Sequence, residues 1–138
     1  MRYLVDANIL IFSMWDKDRL SREVKDVLGD YSNRIYISTE SVKETILLWQ
    51  SGKFSSQKQK FTGGVVDLIN KEMGWEIKPI KHEHLKTLEK IPIIHNHKDP
   101  SDRMIIAQAI TEKIPLVSSD KMFPHYKKFG LELIFNDY

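Results

Sequence analysis

Short apolar runs alternate with amphipathic stretches along the chain. Arg2–Val5 is apolar and stops abruptly at Asp6, the signature of a buried strand. Ala7–Met14 then reads as a helix, with Ile9, Leu10 and Phe12 available for packing. Ser21 as a cap, the stripe Val24, Val27, Leu28 and a closing Gly29 predict a second helix. Arg34–Ile37 alternates and is β-branched, so it reads as a strand. Ser38 and Ser41 both offer caps to a helix carrying Val42, Ile46 and Trp49 and stopped by Gly52. Lys53–Gly64 is polar and reads as a loop or a loosely organised approach to the helix expected over Val65–Met73. Trp75–Pro79 is a third strand, Glu83–Lys90 a helix ended by Pro92. Asp99-Pro100 opens a helix to about Lys113, with Met104, Ile105, Ala107, Ala109 and Ile110 covering most of its surface and predicting deep burial. Pro115–Ser118 is a fourth strand, Lys121–Tyr126 a short helical turn, and Leu131–Phe135 a last strand.

Strands alternating with helices imply an α/β fold, a central parallel sheet flanked by helices on both faces. Ligands gather at the carboxyl ends of such strands. Asp6 ends the first strand, and Asp120 follows the fourth. Glu44 lies one turn into the helix after the second strand, and Asp102 lies in the first turn of the helix that feeds the fourth. All four acids are therefore expected at one edge of the sheet.

Composition narrows the chemistry. The 138 residues suit a single domain, 1–138, without repeats or linkers. There are no cysteines, which excludes disulfides, thiolate zinc sites and cysteine nucleophiles and fits a reducing cytoplasm. No run is long enough to span a membrane, and the N-terminus reads as lacking a secretory signal. A net charge of +2 and a pI near 8.7 permit a nucleic-acid partner without demanding one.

Crowded carboxylates resist ionising together unless a cation compensates them. Mg2+ and Mn2+ are hard cations that prefer oxygen ligands, and such a site suits phosphodiester hydrolysis by metal-activated water. No G-x-S-x-G motif offers a serine nucleophile instead.

Local motifs sharpen this picture. Tyr3-Leu4-Val5-Asp6-Ala7-Asn8 resembles the opening strand motif of PIN-domain nucleases, and Ser38-Thr39-Glu40-Ser41-Val42-Lys43-Glu44 their second motif. His97-Lys98-Asp99-Pro100-Ser101-Asp102-Arg103-Met104-Ile105-Ile106-Ala107-Gln108-Ala109, followed by Pro115-Leu116-Val117-Ser118-Ser119-Asp120-Lys121, resembles the third and fourth motifs of VapC-type toxins of that family. The resemblance implies a PIN fold, Mg2+- or Mn2+-dependent RNA cleavage, a cognate antitoxin and a homodimer. Carried onto matching positions, it makes Asp6, Glu44, Asp102 and Asp120 the catalytic, metal-holding acids, with Asn8 and Ser119 in support. Ser101 stands where relatives often carry phenylalanine, a difference that touches packing and leaves the acids in place.

Each residue also has a purely architectural reading. Asp6 can cap the helix after its strand. Ser41-x-x-Glu44 is a capping box. Asp99, before Pro100, reads as an N-cap, and Asp102 suits the positive end of the helix dipole. Asp120 can be an ordinary turn residue. His82, His84, His95, His97 and His125 read as surface or loop residues. His95-Asn96-His97 echoes the name of another nuclease class but lacks its wider ββα framework. Arg103 suits either a phosphate or a surface carboxylate. Lys53, Lys58 and Lys60 form either a solvated face or a charge guide for RNA. Trp15, Trp49 and Phe12 suit the core or, if exposed, an antitoxin or dimer contact.

Three other functions compete. A stand-alone PIN-type RNA-processing nuclease would carry the same acids, and a non-catalytic PIN-like binding module is disfavoured by their presence. A phospho-acceptor receiver domain needs an acidic pair after the first strand and an aspartate ending the third; here Asp6 has no adjacent acid and Pro79 takes the acceptor position.

Overall fold

The computed structural model describes residues 1–52 and 64–138. Five strands form one wholly parallel sheet: β1 (Arg2–Val5), β2 (Arg34–Ser38), β3 (Glu76–Lys78), β4 (Leu116–Ser118) and β5 (Leu133–Phe135). Their order is β3-β2-β1-β4-β5. The chain first moves outward from β1 on one side, then returns to pair β4 on the other. The order therefore reverses between β1 and β4, where the connecting segments leave in opposite directions and open a crevice. This order also separates the fold from the receiver domain, whose strands run 2-1-3-4-5.

The helices are α1 (Ala7–Trp15), α2 (Arg22–Gly29), α3 (Thr39–Gln50), α4 (Gly64–Asp67), α5 (His82–Lys90) and α6 (Pro100–Glu112). Adjacent strand residues point to opposite faces, which divides the core in two. Leu4, Tyr36 and Leu116 face α6, joining Met104, Ile105, Ala109, Phe123 and Tyr126. Val5, Ile37 and Val117 face the other way, joining Ile9, Leu10, Val24, Val42, Ile69 and Trp75. The central strands thus read as unbroken apolar runs because both faces are covered.

Several local expectations change. Ser38, not Ser41, caps α3, accepting the Glu40 amide at 3.1 Å. Ser41 is buried inside the helix, where its carbonyl accepts the Thr45 hydroxyl, so the Ser41–Glu44 capping box does not form. The helix begins as soon as the buried strand ends. The segment expected as a helix over Val65–Met73 is a short α-helical turn that widens into a π-helix over Leu68–Glu72. The helical turn placed at Lys121–Tyr126 is a 3-10 helix over Phe123–Phe129, ended by Gly130 with φ of 100°. The loop reading of Lys53–Gly64, and with it Lys53, Lys58 and Lys60, lies outside the described residues except for Gly64, which starts α4.

Helix α6 follows its sequence closely. Asp99 caps it, accepting the Asp102 amide at 2.9 Å, and Pro100 occupies its first turn. Met104 through Ala109 are all buried, including Gln108. Trp15 and Trp49 are half-buried and stack on one another, centroids 6.1 Å apart, while Phe12 is buried. Among the described residues no helix is long and apolar enough to cross a membrane.

Candidate active site

The crevice between the carboxyl ends of β1 and β4 is acidic. Asp6 follows β1 directly and is 6% exposed. One carboxylate oxygen accepts the Ile9 amide at 3.0 Å, capping α1 as its position suggested. The other accepts the Ser118 hydroxyl at 2.5 Å. Capping and a site role therefore coexist, using different oxygens of one group. Ser118 ends β4, is fully buried, and its oxygen also accepts the Asp120 amide at 3.0 Å. Asp120 in turn accepts the Met122 amide at 2.8 Å, which shapes the turn leaving the strand.

Asp102 comes from the first turn of α6. Its carboxylate meets His97 Nε2 at 3.1 Å, and His97 Nδ1 meets the Tyr126 hydroxyl at 2.6 Å. The His97 side chain is only 9% exposed. His97, Asp102 and Asp120 each offer one donor atom, all within 4.8 Å of one another.

The electrostatics record the crowding. Burial first, then the charges of Asp102 and Asp120, push Asp6 up to about 7, against the lowering effect of Ser118 and the Ile9 amide. Burial also pushes Asp102 up to about 6, helped by Asp99 and Asp120, while the bond from His97 opposes it. Glu44 is also raised, by desolvation and then by the charge of Asp99. Glu44 stands on the exposed side of α3, and its charged neighbour in this set is Asp99. His97, Asp102 and Asp120 thus form the tight group; Asp6 feels the charges of Asp102 and Asp120, while Glu44 feels that of Asp99.

These donors fit a hard divalent cation. The cluster of His97, Asp102 and Asp120 offers carboxylate oxygens with one imidazole, and burial, helped by neighbouring acids, makes Asp6 and Asp102 harder to ionise without a compensating cation.

Ser118 is the hydroxyl that touches the acids; Ser119 instead accepts the Asn136 amide group at 2.7 Å. Asn136 is itself buried, and its side chain also reaches the Arg19 carbonyl and the Ser21 amide, tying the β4 turn to the start of α2. Asn8 is exposed on the first turn of α1. Among the described residues Arg103 is not paired with a carboxylate. Its guanidinium donates to the Ile91 and Pro92 carbonyls at 2.8 and 3.2 Å, holding the segment after α5.

Two histidines read as surface residues are not. His97 lines the site. His84 is 1% exposed; its Nδ1 accepts the Lys81 amide and its Nε2 meets Glu112 at 2.8 Å, clamping α5 to α6. The signal for His97 was its place two residues before the Asp99 cap, where the chain turns in toward the site. For His84, the fourth residue from Lys81 on a helix start, nothing in the local pattern marked burial. His82, His95 and His125 are exposed as expected.

No curated protein matches the chain in sequence. Solved structures match its fold over nearly its whole length. VapBC2 of Rickettsia felis bound to a promoter DNA fragment is 18% identical, with 99% of this chain and 100% of that one covered, at a TM-score of 0.73. VapBC-1 of nontypeable Haemophilus influenzae is 15% identical, with 98% of both chains covered, at 0.66. DNA-bound VapBC of Salmonella typhimurium is 14% identical, with 99% of both covered, at 0.66. The family model for the PIN domain matches residues 3–129, and with the acidic crevice at the β1–β4 switch this chain belongs to the PIN domain family.

Proposed function

We propose that the protein is a metal-dependent endoribonuclease and the toxin of a VapBC-type pair. The observation that carries the nuclease reading is the convergence of Asp6, Asp102 and Asp120 from three separate segments onto one crevice, at a cost in mutual repulsion. Capping α1 and bonding Ser118 explain a buried carboxylate at Asp6, but neither role calls for the charges of Asp102 and Asp120 that make it harder to ionise.

Asp6, Asp102 and Asp120 would hold Mg2+ or Mn2+, with Glu44 at the rim holding liganding water and His97 orienting Asp102. When bound, the cation supplies Lewis-acid polarisation of a phosphodiester and a more acidic water. The chain's own contribution is positional. Ser118 fixes the Asp6 carboxylate and the Asp120 backbone in one geometry. The α6 dipole favours the ionised form of Asp102. Tyr126 and His97 brace Asp102 from behind. Ser119, through Asn136, steadies the turn that carries Asp120.

The toxin reading rests on the fold neighbours, which are VapBC complexes, and on the motif resemblance. It brings with it an antitoxin partner, a homodimer and a cytoplasmic setting. Purified protein is expected to cut single-stranded RNA with Mg2+ or Mn2+ and to stop with chelator. Full activity in the double variant Asp6→Asn, Asp102→Asn would defeat the nuclease assignment. Expression is expected to arrest growth, with rescue by a co-expressed antitoxin. An active nuclease without effect on growth would instead mark a stand-alone RNA-processing enzyme.

A further inference from the structure

Ile94–His97 is a tight turn closed by the His97 amide on the Ile94 carbonyl at 2.8 Å. Its two central residues, His95 and Asn96, both take left-handed φ values of 49° and 58°. Asparagine and histidine both enter that conformation more often than most other residues do. The turn brings the His95 ring onto His125, centroids 4.3 Å apart and planes tilted by 46°. Both side chains are exposed, so the contact fills no core.

The location ties this pair to the acids. Two residues after His95 stands His97, which bonds Asp102, and one residue after His125 stands Tyr126, which bonds His97. The loop and the 3-10 helix whose His97 and Tyr126 brace Asp102 therefore also carry the two exposed imidazoles. Lys98 is exposed just after the turn, Lys121 shortly before the 3-10 helix and Lys127 on it, and among the described residues none of them forms an ion pair. Planar rings flanked by free cations are what an unpaired nucleotide strand requires: a face for the base and charge for the backbone. A duplex keeps its bases stacked inside and offers the rings nothing.

We propose, building on the nuclease reading, that His95 and His125 form a stacking platform for an unpaired base next to the scissile phosphate, with Lys98, Lys121 and Lys127 taking backbone phosphates.

The test uses the full chain carrying Asp120→Asn, which removes a site acid and leaves the platform whole. A short single-stranded RNA with one 2-aminopurine reports stacking by quenching and affinity by anisotropy. Binding with quenching is expected, and adding His95→Ala and His125→Ala should abolish the quenching and weaken Kd by about tenfold or more. In the active protein the same pair should raise KM for RNA and leave kcat unchanged, while His82→Ala, an exposed histidine on α5, changes neither. Unchanged affinity and quenching in the double variant would overturn the platform. So would zinc binding that depends on the pair while RNA affinity does not, which would mark a chelating pair. The two readings fail separately: a wild type that binds RNA through the pair but never cleaves it sinks the nuclease, and a cleaving enzyme indifferent to both substitutions sinks the platform alone.

Discussion

Ser118 donates its hydroxyl hydrogen to Asp6 at 2.5 Å, across 112 residues of sequence. The same oxygen accepts the Asp120 amide, so a single buried hydroxyl sets the spacing of two acids from adjacent strands. Removing it by Ser118→Ala should lower kcat/KM on RNA by about tenfold to a hundredfold, the usual effect of losing a group that orients metal-binding ligands. Because the Ser118 bond lowers the Asp6 pKa, its loss should also move the acid limb of the pH–rate profile upward. A variant with wild-type rates would show that Asp6 needs no such partner.

Asp6 makes stability depend on pH in an unusual direction. Its folded pKa of about 7 lies above the ordinary value of 3.8, so the folded state binds more protons between those limits. Stability of the metal-free protein is therefore highest at the acid end of that window and falls as pH rises from about 4 through 7, by a few kcal/mol. Asp6→Asn should flatten this dependence and raise the metal-free Tm at pH 8. Added Mg2+ should raise the wild-type Tm at pH 8 and affect the variant less. Melting curves in chelator across this range give the answer, and a Tm that climbs from pH 5 to 8 in the wild type would contradict the burial argument.

His97 acts on Asp102 in the opposite sense to burial, lowering its pKa by a hydrogen bond and by charge. His97→Ala should leave Asp102 harder to ionise. The Mg2+ concentration for half-maximal activity is expected to rise about tenfold or more, with the acid limb of activity again displaced upward. Metal titration of the purified variant, followed by RNA cleavage, measures this directly.

Arg103 offers a contrast between two readings of a residue beside a site acid. Its bonds run to the Ile91 and Pro92 carbonyls, so Arg103→Ala should lower stability by about 1–3 kcal/mol and leave KM for RNA unaltered. Chemical denaturation paired with steady-state kinetics separates this from a phosphate contact, which would raise KM instead.

His84 and Glu112 predict a stability effect far from the chemistry. Partial burial raises Glu112, but bonds from His84 and Lys78 outweigh it and hold its pKa below the ordinary value. Because His84 Nδ1 accepts the Lys81 amide, the ring hydrogen sits on Nε2 and points to Glu112. His84→Ala should cost about 2–3 kcal/mol, seen as a lower denaturation midpoint, with the rate on RNA at 25 °C preserved. An equal loss of activity in the folded variant would assign this clamp a second role.

What the chain decided locally was legible before any coordinates. Strand β1 ends at Asp6 because apolar Leu4 and Val5 give way to a charge that caps the next helix, and α6 begins at Pro100 because an aspartate cap followed by proline favours a helix start ahead of an apolar run. These effects act over a few residues, as does the apolar pattern that built both core faces. The tertiary structure decided which of two serines meets Asp6, that His97 and His84 turn inward, and that Arg103 is spent on carbonyls. Those outcomes depend on which strands become neighbours, and the β1–β4 pairing joins residues more than a hundred positions apart. Serine is mostly found at the surface and histidine on either side, so their own chemistry did not mark Ser118, His97 or His84 for burial. The partner across the fold settles the matter, and that partner is not written in the neighbouring sequence.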